Sequence, residues 1–154
     1  MPRSPARAYH LVALILGAAV HDVETHHFDN GLTLHIASGH PAPVAAVQAW
    51  VGVGSADEQP HEAGMAHVVE HMLFKGSRDY GLGELVRVIE AGGGDINAWT
   101  AMDHTVYHAV LGRDHAESAL DVLADTLLEP RVDRDELHRE RARAARPGDR
   151  KSVV

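Results

Sequence analysis

Alternating apolar and polar positions predict β-strands in two parts of the chain. The predicted strands lie at residues 23–28, 32–36, 44–53, 96–100 and 105–110. Asn30-Gly31 separates the first two, and this dipeptide between alternating segments is the strongest short hairpin signal. The third is a nearly continuous apolar run that contains Trp50, which is typical of a buried strand. These segments predict a sheet that contains at least one hairpin.

Apolar residues spaced three and four apart predict helices between and after these strands. The predicted helices lie at residues 63–75, 82–91, 114–128 and 133–145, and the last is rich in Glu and Arg. Gly76 and Gly92 end the first two, and Pro130 closes the third. The order of strands, helices, strands and helices predicts an α+β fold with a largely antiparallel sheet.

The N-terminal segment has two interpretations. Arg3 and Arg7 precede an apolar run at residues 11–20, which contains the small residues Gly17-Ala18-Ala19. This pattern is typical of a signal peptide and then predicts a periplasmic or secreted protein. The alternative is a disordered extension over residues 1–21, which leaves a cytoplasmic location open. The run is too short to span a bilayer as a helix.

Composition limits the chemistry that the chain can support. A length of 154 residues is enough for one domain with a core. The net charge of −8 with neutral histidines argues against a nucleic-acid partner. The chain contains no cysteine, so any metal site has to use His, Asp or Glu.

The pentad at residues 67–71 reads H-x-x-E-H, the inverted form of a zinc-protease signature. On a helix, His67 and His71 share one face and can bind one Zn²⁺ together. Glu70 overlooks the same face and can act as general base toward water activated by the metal. The plain alternative is a surface histidine pair on a structural helix.

Four blocks in the right order surround and follow the pentad. They lie at residues 52–58, 64–77, 89–93 and 97–100, and Asp103, Thr105 and Tyr107 come after them. Together they resemble the inverzincin metallopeptidases of the pitrilysin and mitochondrial-processing-peptidase family. The resemblance covers residues 23–141, and it makes a chance pentad improbable.

This resemblance implies a fold, an activity and partners. The fold is the family's N-terminal half, a sheet backed by helices, here incomplete over residues 22–146. The activity is zinc-dependent hydrolysis of peptide bonds, with a peptide or unfolded protein as substrate. His67 and His71 are the implied zinc ligands, and Glu70 is the implied catalytic residue. A second, similar domain or subunit would close a chamber over the site.

Two substrate-binding residues follow from the same resemblance. Asn97 would lie on an edge strand beside the zinc and hold a substrate carbonyl while the peptide pairs with that strand. The alternative for Asn97 is a turn or strand-end cap. Phe74 would line the pocket for the residue after the cleaved bond, and the alternative for Phe74 is simple core packing.

The chain departs from the family pattern at the third zinc ligand. Glu140-Arg141 matches the family's Glu-Arg pair, and Glu140 would orient a zinc-binding histidine. The glutamate ligand itself should fall at Pro147. Either the chain is a degenerate relative or its C-terminus is not native. The loss of pattern near the end favours the second explanation and a non-native or disordered tail at residues 147–154.

With two ligands, the chain itself is expected to bind zinc weakly and to show little or no peptidase activity. The rival function is a non-catalytic family member that serves as a scaffold or partner subunit. Such relatives usually lose the chemistry of the pentad, whereas this chain keeps all of it.

Overall fold

The computed structural model describes residues 9–14, 22–38 and 41–144. The strands in this part of the chain are β1 (Tyr9–Leu14), β2 (Asp22–His27), β3 (Thr33–Ser38), β4 (Val44–Val51), β5 (Asp95–Thr100) and β6 (Thr105–Gly112). The α-helices are α1 (Met65–Leu73), α2 (Glu84–Ala91), α3 (Ala116–Leu128) and α4 (Arg134–Ala144). Short 3₁₀ turns at Ser55–Asp57, Pro60–Glu62 and Arg113–His115 connect them.

All six strands join one sheet in the order β2-β3-β1-β4-β6-β5. The β1–β3 pair is parallel, and the other four pairs are antiparallel. The turn at Asn30-Gly31 connects β2 and β3 as predicted, with Gly31 at φ +86°. The predicted α+β fold with a largely antiparallel sheet is therefore confirmed, and β5 is one of its two edge strands.

The strand β1 is the main difference from the prediction. The sequence pattern predicts no strand before residue 23, because the apolar run that overlaps β1 also fits the core of a signal peptide. In the structure, β1 lies between β3 and β4 and joins them into one sheet. Residues 9–14 of the N-terminal segment form this strand, and the choice between a signal peptide and a disordered extension for residues 1–21 stays a prediction.

Other predictions for the chain ends lie outside the described residues. Residues 1–8 and 15–21 carry the rest of the signal-peptide prediction, and residues 147–154 carry the predicted non-native tail. No helix in the described part of the chain has the length and apolar character needed to cross a membrane.

The helices α1, α2 and α3 pack against strands β4, β5 and β6 and form the hydrophobic core with them. Alternate residues of β4 and β6 turn their side chains toward α1, α2 and α3. The buried cluster consists of Val47, Ala49, Leu73, Leu85, Ile89, Tyr107, Ala109, Leu111, Ala119, Val122 and Leu123. α1 also packs against β5 and α4, so the helix that carries the pentad is fixed from two sides.

Candidate active site

The pentad lies on α1, and the first turn of this helix is capped by the side chain of Glu58, a residue outside the helix. Gly64 precedes the helix at φ +89°, a backbone conformation that favours glycine, and it has no side chain for capping. Glu58 caps the helix instead. Its two carboxylate oxygens accept hydrogen bonds from the N–H groups of Gly64 and Ala66, both at 2.7 Å. A carboxylate at a helix N-terminus also favours the helix dipole.

We therefore expect Glu58→Ala to lower the free energy of unfolding by about 0.5–2 kcal/mol, the usual effect of losing an N-terminal cap. Glu90→Ala is the matched control, because Glu90 is an exposed glutamate on α2. It should change the stability by less than about 0.5 kcal/mol. Urea unfolding followed by circular dichroism measures both. Equal stabilities of the two variants would contradict the capping role.

The glycine-rich segment before α1 lies tightly against the end of β5. Ser55 N–H donates to the Ala101 carbonyl at 3.0 Å, and Ala56 N–H donates to the Met102 carbonyl at 2.7 Å. A Cβ atom on Gly54 would come within 2.5 Å of the Ala101 oxygen. Glycine is therefore required at residue 54 for this approach, which ties the segment leading to α1 to the edge of the sheet.

The two histidines of the pentad lie side by side. The ring centroids of His67 and His71 are 4.5 Å apart, as expected for residues one helical turn apart. Both side chains are only partly buried. Two imidazoles on one face are suitable nitrogen donors for zinc. Within the described residues, however, no group of three or more His, Asp or Glu side chains is placed to hold a metal.

Glu70 is buried between α1 and the sheet. Its Oε2 accepts a hydrogen bond from the Thr100 hydroxyl at the end of β5. Tyr107 of β6 also lies close. Burial raises the pKa of Tyr107 and the charge of Glu70 raises it further, so the phenol stays protonated at neutral pH. The carboxylate of Glu70 is thus held in one position against β5.

The sequence pattern does not indicate the contact between Thr100 and Glu70. We expect this contact to stabilise the folded protein. Thr100→Val removes the hydroxyl that donates to the buried carboxylate of Glu70. The free energy of unfolding should fall by about 1–3 kcal/mol, because a buried acceptor loses its partner. In a Glu70→Leu background the same substitution should cost much less. An equal loss in both backgrounds would show that Thr100 acts independently of Glu70.

Glu140 connects α4 to the pentad. Its side chain is 2% exposed, and its Oε2 lies 2.9 Å from Nδ1 of His71. Desolvation by burial raises the pKa of Glu140, but hydrogen bonds from His71 and Lys75 outweigh it and lower the pKa to about 2. An ionised carboxylate can only accept, so Nδ1 of His71 carries the proton. In a neutral ring with this tautomer, Nε2 carries the lone pair that a metal requires.

The donor set thus fits part of a zinc site. His67 and His71 supply two imidazoles, and Glu140 fixes the tautomer of His71 that a metal requires. A catalytic zinc site has three protein ligands. Within the described residues, no further carboxylate or histidine is placed to complete such a group.

Asn97 lies on β5, and Phe74 lies at the end of α1. Asn97 is exposed on the edge strand β5, and its Oδ1 accepts a hydrogen bond from the Ala98 N–H at 2.9 Å. Alternation along the strand places its side chain on the opposite sheet face from Thr100. Phe74 packs against the core cluster, with its ring centroid 6.2 Å from that of Tyr107. The substrate-binding roles of Asn97 and Phe74 remain predictions.

An apolar cavity of about 680 Å³ lies between α1, α3 and the end of β4. From α1 it is lined by Met65, Ala66, Val69 and Leu73. Helical spacing places these residues on a different side of α1 from His67 and His71. The cavity is therefore separate from the candidate site.

Comparison with known proteins shows which protein family the chain resembles. A family model described as insulinase (peptidase family M16) matches residues 34–148. The uncharacterized zinc protease YmxG of Bacillus subtilis is 35% identical over 112 residues, which cover 73% of this chain and 27% of that protein. A probable mitochondrial-processing peptidase subunit beta of Arabidopsis thaliana is 38% identical over 112 residues, which cover 73% of this chain and 21% of that protein.

Solved structures agree with this result. Pitrilysin superimposes with a TM-score of 0.72 at 31% identity, covering 78% of this chain and 13% of that chain. A protease from Helicobacter pylori gives a TM-score of 0.74 at 28% identity, covering 79% and 29%. The chain spans about a quarter of the length of the two curated relatives. The family expected from the blocks around the pentad is confirmed: the chain belongs to the insulinase family of peptidases, family M16.

Proposed function

We propose that this chain is the zinc-binding part of a metalloendopeptidase that hydrolyses peptide bonds in peptides or unfolded proteins. The observation that carries the proposal is the grouping around α1. His67 and His71 lie together, Glu70 is buried beside them, and Glu140 holds Nδ1 of His71. Membership of a peptidase family whose relatives are named zinc proteases supports the same function.

Each residue has a defined task in this proposal. His67 and His71 hold zinc, which when bound supplies a Lewis acid that polarises the substrate carbonyl and makes water more acidic. Glu70 accepts the proton of the attacking water and later donates it to the leaving nitrogen. Thr100 holds the Glu70 carboxylate in place for both transfers.

The substrate is proposed to bind along β5. This strand is an edge of the sheet, so its outward N–H and C=O groups can pair with an extended peptide. Asn97 lies in the middle of β5 and is proposed to contact a substrate carbonyl. A second domain or subunit is proposed to close over this edge, by analogy with the relatives of greater length.

The chain alone is expected to show little or no peptidase activity, because it supplies two zinc ligands from its described part. An unfolded fluorogenic peptide incubated with the purified chain and Zn²⁺ should be cleaved no faster than with the Glu70→Gln variant. Zinc-dependent cleavage that Glu70→Gln abolishes would contradict this expectation and place a third ligand within the 154 residues.

A chimera tests the proposed activity. Residues 145–154 are replaced by the corresponding C-terminal remainder of the Bacillus subtilis zinc protease, and that intact protein serves as the positive control. Zinc-dependent cleavage of the unfolded peptide by the chimera is the expected result. A folded, zinc-loaded chimera that leaves the peptide intact, while the intact relative cleaves it, favours the scaffold or partner-subunit function instead.

A further inference from the structure

Glu140, which contacts His71, also forms an ion pair with Lys75. Lys75 follows α1, and its Nζ lies 2.9 Å from Oε1 of Glu140 and 3.4 Å from Oε2 of Glu136. The Lys75 side chain is 22% exposed, and the Glu140 side chain is 2% exposed. Lys75 is thus a largely buried cation that faces two carboxylates of α4.

His71 and Lys75 contact different oxygens of Glu140. Oε2 accepts from Nδ1 of His71, and Oε1 accepts from Lys75. With both oxygens held, the plane of the carboxylate is fixed, and so is the direction of the bond to the imidazole ring. A carboxylate held through only one oxygen can rotate, and its grip on His71 then loosens.

A second cation also reaches Glu140 but is placed differently. Nη1 of Arg143 lies 3.2 Å from Oε1 of Glu140, and its side chain is 62% exposed. Water screens the largely exposed side chain of Arg143 more than that of Lys75, although both contact the same buried carboxylate. We therefore expect Lys75 to be the stronger partner of Glu140, and Arg143 offers a matched control.

We propose that Lys75 is a positioning residue for the zinc site, acting on His71 through Glu140. The proposal rests on the proposed function of His71 as a zinc ligand. Lys75 itself touches neither metal nor substrate. Its effect is to hold the carboxylate that selects the Nδ1–H tautomer of His71 and leaves Nε2 facing the metal. Partners one step behind a ligand typically change metal affinity by about 10–100-fold.

The test uses the full chain and two readouts. Zinc affinity is measured by calorimetry for the wild type, Lys75→Met, Arg143→Met, Glu140→Gln and the Lys75→Met/Glu140→Gln double variant. Lys75→Met should weaken zinc binding about tenfold, the lower end of the effect of groups that contact a ligand directly, because Lys75 acts through Glu140. Arg143→Met should change it by less than about twofold. Lys75→Met should add nothing in the Glu140→Gln background, because it acts through Glu140.

The second readout needs no metal. Nitrogen-15 NMR of the imidazoles gives the tautomer of His71, whose signals are assigned by their loss in His71→Ala. The wild type should show the Nδ1–H form, and Lys75→Met should show a mixture of both tautomers. A wild type that binds no zinc would contradict the proposed function, while the tautomer still decides the role of Lys75.

Two results would overturn the role of Lys75. One is an unchanged His71 tautomer in Lys75→Met, and the other is a fully additive loss of affinity in the double variant. If Lys75→Met does not fold, Lys75→Arg replaces it. That variant keeps the cation and should retain the tautomer and the zinc affinity within about threefold, and a tenfold loss would contradict the proposal.

Discussion

Replacing Glu70 by glutamine in the chimera is expected to lower kcat for peptide cleavage by about 10²–10⁴-fold. Glutamine has nearly the same shape and can still accept the hydrogen bond from Thr100, but it cannot take a proton from water. Because Glu70 is not a proposed metal ligand, zinc affinity should stay within about threefold of the wild type. A loss of rate without a loss of metal separates the general base from the metal site.

Steady-state cleavage of the unfolded peptide at saturating Zn²⁺ measures this effect. Glu90→Gln is the matched control, since Glu90 is an exposed carboxylate on α2, and its kcat should be unchanged. A Glu70→Gln chimera that keeps kcat within threefold of its parent would remove Glu70 from the chemistry.

Most of the fold could be predicted because its signals are local. The Asn30-Gly31 turn, the glycines after α1 and α2, and the alternation in β5 and β6 each depend on neighbours in sequence. β1 could not be predicted in the same way. Its apolar residues are also compatible with the core of a signal peptide, and the strand becomes recognisable only through its pairing with β3 and β4.

The site also contains residues that local sequence spacing reveals and residues that only the folded structure reveals. His67, Glu70 and His71 are recognisable because helical spacing alone brings them to one face. The hydrogen bond between Glu140 and His71 joins residues 69 apart in sequence, and it was expected only through the resemblance to a family. Thr100, Lys75 and Glu58 carry no pattern of their own, and their contacts appear only when the chain is folded.

The chain departs from the family pattern at the expected third zinc ligand. Counting along the family pattern leads to Pro147, which has no side-chain donor for a metal. This residue lies outside the described part of the chain, so the departure remains a prediction from sequence. Its consequence is open to experiment, because a site with two histidines should bind zinc weakly but specifically.

Removing either histidine of the pentad is expected to abolish specific zinc binding by the chain. His67→Ala and His71→Ala should each weaken binding by more than about 100-fold, because even groups behind the ligands reach 10–100-fold. The chain has 13 histidines, so weak binding elsewhere has to be subtracted. His61→Ala provides that control, since its side chain is 81% exposed and lies outside α1.

Calorimetric titration of Zn²⁺ into the metal-free chain and these three variants is the most direct measurement. We expect one zinc ion per wild-type chain, lost in His67→Ala and in His71→Ala and retained in His61→Ala. A zinc affinity that neither substitution in the pentad changes would contradict the proposed zinc site.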